Sequence, residues 1–168
     1  MFSWTFRRVL RADFENIPKA LAKRYGLIDN EAPYYKCKPD QVLRSETAKL
    51  LWDSAIVTDR AVEANRPNIV LFDRVCKKAY IIDVAVPLDD NLVSTLAEKK
   101  RKYQPLSVEL KDIYRLESVE VIPIVISTNG LVTREWVQAK EKLGLNNWHL
   151  RIMQKAALLG TANIVRSF

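Results

Sequence analysis

The chain has 168 residues, 48% hydrophobic and 28% charged, with a formal net charge of +7. That make-up belongs to a globular domain with a real core, and it excludes a disordered chain, a fibrous repeat or a disulfide-stapled miniature. No run approaches the roughly 18 apolar residues of a membrane helix. The opening Met1-Phe2-Ser3-Trp4-Thr5-Phe6-Arg7-Arg8 is too short and too basic for a secretory signal. The expectation is therefore an intracellular protein with no membrane partner. Cys37, Cys76 and the single His149 cannot close a four-ligand zinc site. Two free thiols are expected, with a disulfide as the alternative. The positive balance favours an anionic partner.

In chain order, Phe14, Ile17, Leu21 and Tyr25 recur at helical steps over residues 14–25, and Gly26 is a natural stop. Residues 29–40 carry Asp29, Asn30, Pro33 and Pro39 and read as a loop. Tyr34 and Tyr35 in that loop are read as packing residues, or as platforms for an unpaired base. Residues 50–57 read as a strand. Residues 58–67 are polar. Ile69-Val70-Leu71-Phe72 reads as a strand buried on both faces, and residues 79–86 as a third, ended by Pro87. Short turns between them predict an antiparallel meander.

A helix is predicted over residues 92–117. Leu96, Lys99, Tyr103, Leu106, Leu110 and Ile113 form one helical stripe, apolar or aromatic except for the lysine. Pro105 lies inside it. Residues 119–127 read as a fourth strand, 128–130 as a turn, and 133–143 and 148–166 as two closing helices. His149 is the one histidine that a Ser-His-Asp or Cys-His mechanism could use, and its place near a helix start speaks against that role. The order of elements gives an α/β fold, with a helical crossover that permits the fourth strand to run parallel to its neighbour.

Two residues break the apolar pattern. Asp83 is a carboxylate inside an apolar strand, where an unpaired charge costs about several kcal/mol. Lys99 is an ammonium on a core-facing stripe. Both are explained by one polar pocket between sheet and helix, either as a salt bridge with a snorkelling lysine or as part of a site. Asn68 opens the second buried strand, and fourteen residues separate it from Asp83, so a short turn sets the two side by side. A polar group at 68, a carboxylate at 83 and a lysine near 99 are the parts of a metal-dependent phosphodiesterase. Oxygen ligands hold a hard cation, the metal activates water, and the lysine steadies charge in the transition state.

The residues Leu51-Trp52-Asp53, Thr58-Asp59-Arg60, Asn65-Arg66-Pro67-Asn68-Ile69-Val70, Ile82-Asp83-Val84-Ala85-Val86-Pro87, Glu98-Lys99, Lys102-Tyr103-Gln104, Val121-Ile122-Pro123-Ile124-Val125-Ile126 and Leu143-Gly144-Leu145 stand in an informative order. Together they resemble the restriction-like endonuclease domain of the PD-(D/E)xK superfamily, found at the C-terminus of some non-LTR retrotransposon reverse transcriptase polyproteins. Met153-Gln154-Lys155-Ala156 and Ile164-Val165-Arg166 extend the resemblance, which spans roughly residues 20–168.

The resemblance implies a mixed β-sheet flanked by helices with an αβββαβ core. Residues 1–45 would form an N-terminal helix and loop extension, and residues 46–168 the nuclease-like domain. It implies nicking of target DNA ahead of reverse transcription, with magnesium or manganese as cofactor and DNA, or the RNA of the retrotransposon, as partner. A nuclear location follows. Asp83 corresponds to the second acidic metal ligand. Ala85 stands where the usual lysine would be, so the lysine is expected from the next helix, as Lys99 or Lys102. Glu98 is read either as a further ligand or as a helix-surface charge. Arg60, Arg66, Lys100 and Arg101 are the candidate phosphate contacts, or else parts of a solvated basic face.

One position departs from the family pattern. Asn68 stands where the family has aspartate, so an amide oxygen replaces the first metal-binding carboxylate. The expected outcome is impaired cleavage, in a fragment or degenerate copy of the polyprotein. The competing expectations are a non-catalytic nucleic-acid-binding remnant and a pseudogene product without selected function.

Overall fold

The computed structural model describes residues 14–28 and 41–166, with side chains described up to residue 162. Tyr34, Tyr35 and Cys37 lie outside the described residues. The elements are α1 (Asn16–Arg24), β1 (Val42–Arg44), β2 (Ala48–Trp52), β3 (Ile69–Asp73), β4 (Lys78–Ala85), a 3-10 turn (Asp89–Asn91), α2 (Leu92–Ile113), β5 (Ser118–Val125), α3 (Glu135–Leu143) and α4 (Asn147–Arg166). The fold is mixed α/β. Among the described residues a five-stranded sheet has the order β1-β2-β3-β4-β5, and helices flank it.

The first four strands form an antiparallel meander. β5 runs parallel to β4. The Glu117 N–H donates to the Lys77 carbonyl at 2.8 Å and the Ile126 N–H to the Ala85 carbonyl at 3.1 Å, so the two chains rise together. A parallel return needs a crossover, and α2 supplies it.

The strand expected over residues 50–57 stops at Trp52. Asp53 takes a left-handed backbone, φ 47°, which turns the chain out of the ladder. Its N–H then donates to the Asn68 carbonyl at 2.7 Å, and Ile56 N–H to Asn65 at 2.8 Å, so residues 53–68 form a closed loop. β1 has no counterpart among the predicted elements. At three residues, with an exposed-intermediate-exposed pattern, it has no periodicity to read. The long helix ends at Ile113 rather than at 117. Arg115 adopts φ 50°, and the Leu116 N–H closes back on the Lys111 carbonyl at 3.0 Å, as in a Schellman cap.

The chain divides into two compact units with exchanged segments. One comprises Pro18–Asp83 and Ala97–Pro123; the other comprises the described parts of Met1–Ile17, Val84–Leu96 and Ile124–Phe168. The core of the first is built from Leu51, Val70, Phe72, Ala79 and Ile81 on the sheet, with Tyr103, Leu106 and Leu110 of α2 laid across them. This is the stripe read from the sequence. Leu106 and Leu110 are fully buried, each contributing about 1.5–3 kcal/mol. Pro105 sits on the exposed face of the same helix, where the carbonyl that its missing N–H leaves without a donor can be hydrated instead of stranded in the core.

In the second unit Ile124, Ile126, Trp136, Leu143 and Met153 are buried. The turn after β5 is built as its residues dictate. Gly130 at φ 83° makes the reversal, its N–H donates to the Ser127 carbonyl at 2.9 Å, and the Gln154 side-chain amide donates to the Gly130 carbonyl at 2.8 Å.

Candidate functional site

The register of β3 against β4 is set by the pairs Ile69↔Ile82 and Asp73↔Lys78. Residue 68 is thereby brought opposite residue 83. A four-residue turn makes this possible. Its Cys76 N–H donates to Asp73 Oδ1 at 2.9 Å, and Lys77 takes φ 51°. Asp83 consequently sits at the strand end beside Asn68, and α2 passes over it.

Asp83 is 4% exposed. Its Oδ1 accepts from Tyr103 Oη–H at 3.1 Å and from the Asn68 backbone N–H at 3.3 Å. Its Oδ2 is buried without a hydrogen bond and meets the Lys99 ammonium as an ion pair, Nζ to Oδ2 2.7 Å. The Lys99 side chain is 21% exposed, so the pair lies at the edge of the core rather than in its interior. Lys99 and Tyr103 are four apart on one helix face, one turn above the other. Both anomalies of the sequence thus resolve into one contact.

The remaining candidate residues are placed differently. Glu98, Lys100 and Arg101 are exposed on α2. Lys102 lies with its ammonium 5.1 Å from the centre of the Tyr103 ring, a cation–π contact. Arg60 and Arg66 both belong to the 53–68 loop, and one engages α2 while the other engages the loop's own start. Arg60 Nε lies 3.5 Å from Glu109 Oε1, and its backbone N–H donates to Glu109 Oε2 at 3.3 Å. Arg66 Nε lies 3.3 Å from Asp53 Oδ1, and its Nη2 donates to the Asp53 carbonyl at 3.1 Å. Their side chains are 78% and 55% exposed, so both keep donors toward water.

Two residues of this region are not singled out by their sequence. Tyr103 reads as packing, because an aromatic on an apolar stripe usually is. Glu109 is a 6%-exposed carboxylate of α2 that fastens the loop through Arg60; the available signal is a charge one residue before the buried Leu110.

His149 belongs to the start of α4. Asn146 Oδ1 accepts the Trp148 and His149 N–H groups at 3.0 and 3.2 Å, and the Asn146 N–H donates to His149 Nδ1 at 3.1 Å. This is a capping box with histidine in the place of glutamate. Burial pushes the imidazole pKa below its ordinary value. Its ring nitrogen thus has a structural use. Cys76 is an exposed free thiol.

A hard divalent cation such as magnesium takes roughly six oxygens, several of them anionic. Among the described residues no three His, Cys, Asp or Glu side chains gather into such a set. Asp83 offers one carboxylate, and its oxygens already face an ammonium, a phenol and an amide N–H. As they stand, these residues do not fit a tightly held metal. The arrangement instead fixes a buried carboxylate beside a lysine at the mouth of the 53–68 loop.

Among the described residues no helix is long and apolar enough to cross a membrane. Compared with models of known protein families and with curated proteins, the chain matches none.

Proposed function

We propose that this chain is a restriction-endonuclease-like domain of the PD-(D/E)xK type, derived from the C-terminal part of a non-LTR retrotransposon polyprotein, with its DNA-nicking centre impaired at Asn68. The carrying observation is the 2.7 Å contact between Asp83 and Lys99. A strand carboxylate is met by a lysine delivered from the following helix, as that reading requires once Ala85 has replaced the usual lysine. Asp83 is then the remaining acidic ligand, and Lys99 is the charge that steadies a phosphate. Lys102 and Glu98 stand ready on the same helix. Asp83 and the Asn68 amide are the residues that would hold magnesium or manganese, and with one carboxylate between them they would hold it weakly. Arg60, Arg66, Lys100 and Arg101 meet the DNA backbone, and the protein works in the nucleus.

A nicking assay on supercoiled plasmid, with magnesium and with manganese, tests the reading. Wild type is expected to nick slowly. Asn68→Asp keeps the backbone N–H bond to Asp83 and adds the second carboxylate, so nicking should rise at least about tenfold, the equivalent of about 1.4 kcal/mol. Asp83→Ala in that background should abolish the gain. A folded Asn68→Asp protein that nicks no faster than wild type overturns the proposal.

The saturation of Asp83 by Lys99, Tyr103 and Asn68 favours a second reading, a nucleic-acid-binding domain that no longer cleaves. Its mark is affinity for DNA, or for the retrotransposon's RNA, that falls steeply between roughly 50 and 200 mM salt and survives Asp83→Ala.

A further inference from the structure

The far end of β3 carries a second concave site. A cleft of about 390 Å³ opens between that end of β3 and the chain that follows α2, lined by Lys49, Phe72, Arg74, Lys77, Tyr114, Arg115 and Leu116. Its volume falls in the roughly 300–1,000 Å³ range of small-ligand clefts. Four of its seven lining residues are cations, and among the described residues no carboxylate lines it. It lies about 13 Å from Asn68, four residues along β3 at about 3.3 Å each.

The aromatic side is as specific as the charge. The Phe72 and Tyr114 rings are 4.8 Å apart and tilted by 50°. The Lys49 ammonium lies 5.7 Å from one ring centre and 5.8 Å from the other. Phe72 is 3% exposed, while Tyr114 is 42% exposed and, although Phe72 and Lys49 pack against its ring, keeps part of its surface open to solvent. The negative end of the α2 dipole lies at this cleft, and the cations that line it offset that end. Leu110, Lys111 and Asp112 carbonyls are taken by the N–H groups of Tyr114, Leu116 and Arg115 at 3.0–3.3 Å.

We propose that this cleft binds a nucleotide, with the planar base stacked on Tyr114 and the phosphate held by Arg74, Lys77 and Arg115. Aromatic faces beside cations are how single strands are held without sequence reading. An acidic peptide would use the cations and leave the aromatic face idle; a duplex would present phosphates and no free base face. The proposal stands apart from the nuclease reading, since it shares no residue with the Asp83 site.

The test is fluorescence anisotropy of a 5′-labelled ten-nucleotide oligo(dT) and oligo(U), with a duplex of equal length, uridine monophosphate and inorganic phosphate as competitors. The single strands should bind more tightly than the duplex. Tyr114→Leu should weaken them by roughly tenfold, and Arg74→Gln with Lys77→Gln should flatten the salt dependence. Competition by the mononucleotide but not by the duplex, lost in Tyr114→Leu, supports a free nucleotide as ligand; tight strand binding with weak mononucleotide competition supports a strand. If Tyr114→Leu is poorly folded, Lys49→Gln and Arg115→Gln, both on the rim, carry the same test. The proposal is overturned if folded variants bind the strands as wild type does, or if the duplex and inorganic phosphate compete as well as the single strand and the mononucleotide.

Discussion

Lys99 Nζ stands 2.7 Å from Oδ2 of a carboxylate, Asp83, that is buried in the sheet. The two charges depend on each other unequally. Lys99 could swing into water; Asp83 could not. Removing the lysine strands a buried negative charge, whereas removing both charges leaves a neutral gap.

Lys99→Met should therefore destabilise the fold by about 3 kcal/mol, at the lower end of the range for a broken buried pair, because the lysine is partly exposed. The double change Asp83→Asn with Lys99→Met should cost clearly less. Urea unfolding of the two single variants and the double variant closes the cycle. Additive losses would show that the charges do not couple.

Tyr103→Phe removes the phenolic hydrogen bond to Asp83 Oδ1 and keeps the ring. A hydrogen bond to a charged acceptor is worth about 1.5–3 kcal/mol, and the loss should appear in the urea midpoint with an unchanged slope. A neutral result would mean that the Asn68 N–H and Lys99 satisfy the carboxylate alone.

Glu109→Gln keeps one acceptor for the Arg60 N–H but loses the ion pair, whereas Glu109→Ala loses both. Hydrogen exchange at the Arg60 amide should quicken in Glu109→Ala far more than in Glu109→Gln. Global stability should fall by about 1–2 kcal/mol in Glu109→Ala. Equal exchange in the two variants would remove the loop-fastening role of Glu109.

His149 gives a pH dependence of definite sign. Its folded pKa lies below the ordinary 6.5 because burial disfavours the charged ring. The unfolded chain therefore takes up the proton first as pH falls. Stability is complete above about pH 6.5 and declines below it, through the folded pKa. Protonation also removes the Nδ1 lone pair that accepts the Asn146 N–H. Thermal melts from pH 7.5 to 5.5 should show this decline, and His149→Gln, which keeps an acceptor at the same place in the capping box, should flatten it. An unchanged pH profile in His149→Gln would assign the decline to other groups.

The sequence carries much of this site because its two essential charges stand where charges are costly. An aspartate among Ile81, Ile82, Val84 and Ala85, and a lysine on the stripe of Leu96 and Leu106, announce a shared environment by their positions in the chain alone. What is not legible depends on backbone and direction. Asn68 reaches Asp83 through its N–H, which any residue but proline would supply, so its side-chain chemistry gives no sign of that bond. Tyr103 acts through one hydroxyl on an otherwise apolar face. The end of β2 at Asp53 follows from a single left-handed residue, and β1 is too short to have a period. Arg60 and Arg66 are legible as cations, but their engagement with Glu109 and Asp53 arises only once the loop closes.

Arg115 holds a place where helices usually put glycine, since a left-handed residue with a side chain is strained. Glycine there should relieve about 1 kcal/mol, the scale of the left-handed penalty for a residue that carries a Cβ. The chain thus keeps a guanidinium beside Tyr114 at the expense of its own helix end. Arg115→Gly should accordingly melt at a higher temperature than wild type while binding oligo(U) less well. An opposed response of that kind is the signature of a residue retained for what it touches outside the protein rather than for what it holds together within it.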